Sequence, residues 1–226
     1  MDTERDLQSR TRLAVILFTV AANIIAVWVF ARVPWSDWRT GLALSLFDNA
    51  VFLTYLWVRR DRLLGRLMLF GLVVGITELV ADAWLVSVVQ TLDYSIGDGP
   101  MLWRSPIRMP LAWEVVAVQF GCIGTALMEK WPTNGLLVAG LLGALTIPFY
   151  DAMAVHTRWW QYRNCKMFLH TPYFVVLGEF AIVLCITLGA RIVKRGTMGP
   201  ALNSGVIVGA GIFISYAVAY WLTESG

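Results

Sequence analysis

Seven long apolar stretches recur along the chain, and they constrain its fold more than any other feature of the sequence. Each is long enough for a helix to cross a hydrocarbon layer about 30 Å thick. The sequence therefore predicts an all-α, polytopic membrane protein, a bundle of seven transmembrane helices in a single domain over residues 1–226. The spans are expected at about residues 12–33, 41–59, 64–90, 110–128, 134–157, 172–194 and 202–222.

The composition agrees with a location in the membrane. Hydrophobic residues make up 58% of the 226 residues and charged residues 15%, and the mean hydropathy is +0.66. A soluble domain of this size is much less apolar. The basic loops are typical of topology signals rather than of nucleic-acid patches, so we expect the lipid bilayer and a hydrophobic small molecule or lipid as partners, and no nucleic acid.

The distribution of basic residues between the spans predicts the orientation. With seven spans, one side of the membrane carries the N-terminus and 11 of the 18 Lys and Arg residues, and the other side carries 7. Cytoplasmic loops are usually richer in Lys and Arg. We therefore expect a multi-pass protein with a cytoplasmic N-terminus and a C-terminus on the outer side.

Six acidic residues fall inside five of the predicted spans, where an acid costs about 2.5–3.5 kcal/mol at a helix centre. The direction of each span places all six in the outer half of the bilayer. Intramembrane acids usually face a protein interior rather than lipid, so we predict one polar cavity that opens toward the outer side. The six are Asp48, Glu78, Asp82, Glu114, Asp151 and Glu179.

Glu78 and Asp82 lie four residues apart in the stretch GITELVADAWLV. Residues at this spacing share one face of a helix, so both side chains are expected to point into the same cavity. Two carboxyl groups in a low-dielectric site do not readily ionise together. At least one is expected to keep its proton, and a retained proton makes a general acid.

Polar and aromatic residues accompany these acids in the sequence. Ring faces attract positive charge, so a cavity with carboxylic acids and aromatic rings suits a cationic intermediate. The three cysteines are scattered, and there is no aspartate cluster of the kind that holds a diphosphate through magnesium, so the sequence predicts no metal site and no cofactor, although a carboxylate-rich site could still bind Mg²⁺ or Ca²⁺ through oxygen ligands. The residues predicted to contact substrate are Asp48, Asn49, Trp113, Gln119, Tyr150 and Glu179.

Two stretches resemble known membrane enzymes. PLAWEVV at residues 110–116, and PFYD at residues 148–151 followed by WWQY at 159–162, resemble small integral-membrane terpene cyclases of meroterpenoid pathways and membrane carotenoid hydratases. The resemblance implies acid-initiated chemistry on a long isoprenoid lipid without a soluble cofactor. The cyclases carry a second key acid near their last span, whereas the seventh span here has none.

The sequence thus favours an enzyme that protonates an alkene or epoxide of an isoprenoid-type lipid, followed by cyclisation, hydration or isomerisation. Glu114 and Asp151 are the first candidates for the acid and for the base or cation stabiliser, and Glu78 and Asp82 form a second catalytic pair. Two alternatives remain open at this level, a proton- or cation-coupled transporter and a lipid-binding membrane receptor. Acids that only fix helix packing are a further possibility.

Overall fold

Seven helices account for most of the residues that the computed structural model describes, which are 2–225 for the backbone and 7–225 for the side chains. All seven are long and apolar enough to cross a membrane, and the protein is a multi-pass transmembrane helix bundle. The helices are α1 (Asp2–Phe30), α2 (Trp38–Arg59), α3 (Arg62–Ser87), α4 (Met109–Lys130), α5 (Gly135–Thr157), α6 (Tyr173–Arg195) and α7 (Met198–Glu224).

Some helix boundaries differ from the predicted spans. Helix α1 begins at Asp2, so the polar residues before the first apolar span are part of the same helix. It ends at Phe30 rather than at 33, since the chain turns ahead of Pro34, and α3 ends at Ser87 rather than at 90. A residue that precedes proline is disfavoured in the helical conformation.

Two ends of the bundle differ in character. At one end, six short strands form three two-stranded antiparallel sheets, and we call this the hairpin end. The opposite end, called the basic end, carries the turn between α2 and α3 and the connections after α4 and α6. The strands are β1 (Leu92–Asp93) paired with β4 (Gln161–Tyr162), β2 (Met101–Leu102) with β3 (Ser105–Pro106), and β5 (Met167–Phe168) with β6 (Thr171–Pro172).

A buried ion pair fixes the basic end. Asp61 caps the N-terminus of α3, where its side chain accepts hydrogen bonds from the backbone N–H groups of Leu63 and Leu64. The same carboxylate binds Arg12 of α1 at 2.7 Å, and both side chains are largely buried. One aspartate therefore satisfies free N–H groups of one helix and ties a second helix to it.

The pairing of β1 with β4 joins two loops that are far apart in the sequence and closes the hairpin end. Asp93 Oδ2 accepts a hydrogen bond from Gln161 at 3.0 Å, and its Oδ1 accepts one from the Ser95 N–H at 2.9 Å. Burial alone raises the pKa of Asp93, but these bonds and the charge of Arg163 outweigh burial and lower that pKa below its usual value. The carboxylate is thus a stable anchor for both loops.

Small residues let the central helices approach closely. Gly75 of α3 lies against the backbone of Pro110 in α4, where an added Cβ would be 2.2 Å from the Pro110 carbonyl oxygen. Gly205 and Gly209 of α7 meet Val73 and Thr77 of α3 in the same way. Close packing at small residues of this kind is common between transmembrane helices.

Large apolar side chains cover the outside of the bundle, as expected for a surface that faces lipid. Examples are Ile25 (63% exposed), Leu145 (73% exposed) and Ile207 (70% exposed) on α1, α5 and α7. A soluble monomer rarely exposes contiguous apolar surface on this scale. The exposed surface therefore agrees with the span lengths.

Replacing Gly75 by Ala is expected to destabilise the bundle, because the new methyl group forces α3 and α4 apart. Overpacking of this kind typically costs about 1–3 kcal/mol. Gly199→Ala is the matched control, since a Cβ there meets nothing within 4 Å. Thermal unfolding in detergent, followed by tryptophan fluorescence, should show a lower midpoint for Gly75→Ala only; equal midpoints would contradict the close α3–α4 contact.

Candidate functional site

A cavity of about 310 Å³ lies inside the bundle, next to the hairpin end. All seven helices contribute residues to its wall, together with the loops around β1 and β4. Most of the wall is apolar, with a small number of polar groups. Apolar pockets of this size with a few convergent polar groups are typical of ligand sites.

Four of the six intramembrane acids line this cavity. They are Asp48 of α2, Asp82 of α3, Asp151 of α5 and Glu179 of α6, and each is at most 6% exposed. The prediction that acids on different helices converge on one cavity is correct for these four. Four separate helices thus bring carboxyl groups to one enclosed, mainly apolar space.

Three of these carboxyl groups accept a hydrogen bond from an aromatic side chain. Tyr94 Oη donates to Asp82 Oδ2 at 2.7 Å, and Tyr216 Oη donates to Glu179 Oε1 at 2.7 Å. Burial, followed by the charges of Asp82 and Glu78, raises the pKa of Tyr94 well above its usual value. The Tyr94 phenol therefore keeps its proton and remains a donor.

Asp151 is held at one oxygen and open at the other. The indole Nε1 of Trp160 donates to Asp151 Oδ1 at 3.0 Å. Its Oδ2 is buried and makes no hydrogen bond of normal geometry with a described residue, although the Thr171 hydroxyl lies nearby. A carboxyl group that is fixed at one oxygen keeps the other available for a proton and a ligand.

Asp48 of α2 lies close to α1. Its side chain interacts with Asn23, which also lines the cavity, and its Oδ1 has no hydrogen-bond partner of normal geometry among the described residues. Tyr150 of α5 is close enough to Asp48 for an electrostatic interaction. Asp48 therefore adds a second incompletely satisfied carboxyl group to the wall.

Glu78 does not line the cavity, contrary to the prediction from its spacing. It is fully buried behind Asp82, and neither carboxyl oxygen makes a hydrogen bond of normal geometry with a described residue. Asp82, Trp113 and Glu179 are close enough to interact with it. The shared helix face is correct, but one turn of α3 separates the two acids in depth, and only Asp82 reaches the open space.

Glu114 is also absent from the cavity wall, so the expectation that it faces the site is wrong. On α4 the wall includes Ala112 and Val116. Glu114 lies two residues from each of them, a rotation of about 200° around the helix. Its backbone instead packs against Gly71 of α3, and the side chain is buried away from the cavity.

The predicted substrate contacts are mostly placed on the wall. Trp113, Gln119 and Tyr150 line the cavity, and Gln119 also donates to Thr19 of α1 at 3.1 Å. Asn49 does not line it, because its side chain donates back to the carbonyl oxygen of Ser45 one turn earlier in α2.

Several wall residues carried no functional prediction. In the sequence, Tyr94, Trp160 and Tyr162 are typical of an aromatic belt at the membrane interface. Arg108 is typical of a charged residue in a loop, and Tyr216 lies in a span that contains no acid. All of them line the cavity. The sequence gives only a weak signal that these residues belong to the site. Each has a polar or charged group at the end of its side chain and lies in a hairpin-end loop, beside one, or inside a span.

The cavity wall includes two partly exposed apolar residues, one on α1 and one on α5. Ile24 of α1 and Leu142 of α5 both line it, yet they are 41% and 37% exposed. Both are apolar and lie within membrane-spanning segments.

Among the described residues, no group of three or more His, Cys, Asp or Glu side chains is arranged to hold a metal ion. The wall carboxyl groups have aromatic hydroxyl and indole N–H groups as their main hydrogen-bond partners. Their chemistry in this structure is that of hydrogen-bonded acids.

Comparison with known proteins gives a family assignment without a described activity. Residues 79–223 match a protein family described as a domain of unknown function (DUF6989). This range includes α4 to α7, most of the cavity wall, and Asp82, Asp151 and Glu179. No curated protein and no solved structure matches the chain.

A cysteine on the cavity wall should react faster with a small neutral maleimide than one packed elsewhere on the same helix. Ala112 lines the cavity, whereas Ala117 is fully buried and does not. In a background without the three native cysteines, Ala112→Cys is expected to label faster than Ala117→Cys by about an order of magnitude, since access limits thiol reactivity. The measurement is the mass shift over time in detergent; equal rates would argue against an accessible cavity.

Proposed function

We propose that this chain, which belongs to the DUF6989 family, is an integral membrane enzyme that protonates an isoprenoid-type lipid. The reaction that follows is a cyclisation, a hydration or an isomerisation. The observation that carries this proposal is the convergence of Asp48, Asp82, Asp151 and Glu179 on one apolar cavity. Buried acids inside a membrane are costly and are generally functional.

Asp151 is the best-placed general acid in this proposal. Its Oδ1 is oriented by Trp160, and its Oδ2 is without a hydrogen bond of normal geometry. In the proposed step, the Oδ2–H bond of the protonated acid breaks while a C–H bond forms at one alkene carbon. Positive charge then develops on the neighbouring carbon, and Asp151 is left as a carboxylate.

Aromatic rings on the wall are suited to stabilise that charge. Trp113 and Tyr150 line the same cavity as Asp151, and ring faces attract cations most strongly where water is excluded. A second double bond of the substrate can attack the cation to close a ring, or water can add to it. Either product then loses a proton to a wall carboxylate, which balances the proton that Asp151 supplied.

A hydrophobic substrate also agrees with the route into the cavity. In this proposal the substrate enters between α1 and α5, beside Ile24 and Leu142, which line the cavity and are partly exposed on helices with apolar outer faces. A molecule dissolved in the bilayer can enter there without crossing water. The conversion of a membrane-soluble substrate in a site shielded from water protects a carbocation from premature capture.

We also propose that the N-terminus is cytoplasmic and that the hairpin end lies on the outer side. The basic end carries the clusters Arg59–Arg62 and Arg191–Arg195, and positive residues favour the cytoplasmic face. Alkaline phosphatase fused to the C-terminus should then be active, and a green fluorescent protein fused there should be dark. The reverse pattern would overturn this orientation.

Replacing Asp151 by Asn keeps the shape of the side chain but removes the acidic proton. General acid catalysis typically contributes about 10²–10⁴-fold, so product formation is expected to fall by about 10²-fold or more. The measurement is mass spectrometry of lipid extracts after heterologous expression, compared with an empty vector.

Glu114→Gln is the matched control, because Glu114 is a buried acid of the same bundle that does not line the cavity. It is expected to retain product within a few-fold. If Asp151→Asn stays active while Glu114→Gln is inactive, the assignment of the acid is wrong. If the wild-type protein moves a solute into proteoliposomes and converts nothing, the enzyme proposal itself fails.

A further inference from the structure

Arg108 is a buried cation on the cavity wall that the proposed proton transfer does not use. It directly precedes α4 at the hairpin end and is 5% exposed. Among the described residues that line the cavity it is the only basic one. A buried guanidinium without a counter-ion is costly, so its presence calls for a partner.

The fold holds the Arg108 guanidinium in a fixed place. It lies 5.1 Å from the ring centre of Trp159 and 5.5 Å from that of Trp160. Gly41 of α2 leaves the space that the side chain occupies, because a Cβ on Gly41 would be 2.7 Å from Arg108 Nε. Stacking on aromatic faces leaves the N–H groups at the edge of an arginine free to bind.

No described carboxylate forms an ion pair with Arg108, and its Nη2 is buried without a hydrogen-bond partner. Asp82 and Tyr94 face the guanidinium at longer range. Burial lowers the pKa of Arg108 to about 10, and electrostatic interactions with Tyr94 and Asp82 act in the opposite direction. The side chain is therefore positively charged at neutral pH, and it lines the cavity with a buried donor that no described residue uses.

We propose that Arg108 binds an anionic oxygen, of a carboxylate or phosphate group, at the polar end of an amphipathic lipid substrate. This deepens the proposed function, on which it rests for treating the cavity as the substrate site. Planar arginine groups bind carboxylate and phosphate oxygens through paired hydrogen bonds. The ligand would supply the partner that the protein itself lacks.

The rest of the cavity fits the apolar part of such a molecule. From Arg108 the wall continues along α4 through Val116 and Phe120 to Ile123, a distance of about 22 Å along the helix. The charged group is thus at the hairpin end, and the hydrocarbon part extends toward the middle of the bundle.

The acids of the wall are compatible with an anionic ligand in this arrangement. In the proposed function the proton donor is neutral before the reaction, and a neutral carboxylic acid does not repel an anion. Asp151 is linked to Trp160, whose ring also lies beside Arg108. The anchored head group would therefore position the first part of the substrate chain close to the acid.

Equilibrium binding to the purified protein in nanodiscs tests the proposal with three probes of equal chain length: dodecanoate, dodecyl phosphate and dodecanol. A charge-assisted hydrogen bond corresponds to about a ten- to hundredfold preference. The wild-type protein is expected to bind at least one anionic probe that much more tightly than dodecanol, and the tighter anion identifies the head group. Arg108→Gln is expected to lose this preference.

Arg104→Gln is the matched control, because Arg104 lies in the same loop but is exposed and does not line the cavity. It should keep the full preference. Gly41→Ala is a second variant that leaves Arg108 in place but displaces its guanidinium, and it should weaken binding of the anion more than that of dodecanol. Unfolding midpoints of all variants establish that they are folded.

Equal binding of anions and alcohol by the wild-type protein, or a preference that survives Arg108→Gln and Gly41→Ala, would overturn the proposal. The outcome is separate from that of the proposed function. Asp151→Asn should still prefer the anion although its product formation falls by about 10²-fold or more. If the wild-type protein shows the Arg108-dependent preference but converts no lipid, the anion-binding proposal stands and the enzyme proposal fails.

Discussion

The cost of leaving a polar group unsatisfied in hydrocarbon governs how this bundle is arranged. An acid on a transmembrane helix must turn away from lipid and find partners inside the protein. Here phenol and indole groups supply those partners: Tyr94 binds Asp82, Trp160 binds Asp151 and Tyr216 binds Glu179. Two of these three donors lie outside the helices, in hairpin-end loops. The loops are therefore part of the polar interior rather than simple connections between spans.

Because the acids depend on donors from the loops, the contacts between the loops at the hairpin end matter for the site. Strands β1 and β4 join the loop after α3 to the loop after α5, and Asp93 reinforces the junction through Gln161 and Ser95. Trp159, in the second loop, donates its indole N–H to the Asp37 carbonyl oxygen at 2.9 Å, which connects this loop to the start of α2. These contacts between the hairpin-end loops hold Tyr94 and Trp160 at hydrogen-bond distance from Asp82 and Asp151. Fixed donors of this kind favour a preorganised site.

The cavity is also polarised along its length. Arg108 and the aromatic residues of the loops line its end next to the hairpin-end loops, and mainly apolar side chains of α1, α4 and α5 line the deeper part, with Gln119 and Thr146 among them. This arrangement matches an amphipathic molecule better than a uniformly apolar or uniformly polar one. The proposed acid and the proposed anion anchor share Trp160 as a neighbour, so a bound head group and a reactive carbon can be held near each other.

The sequence by itself determined the seven spans, because the length of an apolar stretch and the thickness of hydrocarbon depend on no tertiary contact. It also placed five of the six intramembrane acids in the half of the helix nearer the hairpin end, since depth follows from residue count along a helix, whereas Asp48 lies at the middle of α2. Which acids share a cavity was decided by the rotation of each helix against its neighbours. Glu114 and Ala112 differ by only two positions, yet they face opposite sides of α4, and close contact at Gly71 and Gly75 sets that rotation. Arg108, Tyr94 and Trp160 reach the site only because distant loops pair at the hairpin end, and that pairing depends on contacts between residues that lie about 70 positions apart, such as Asp93 and Gln161.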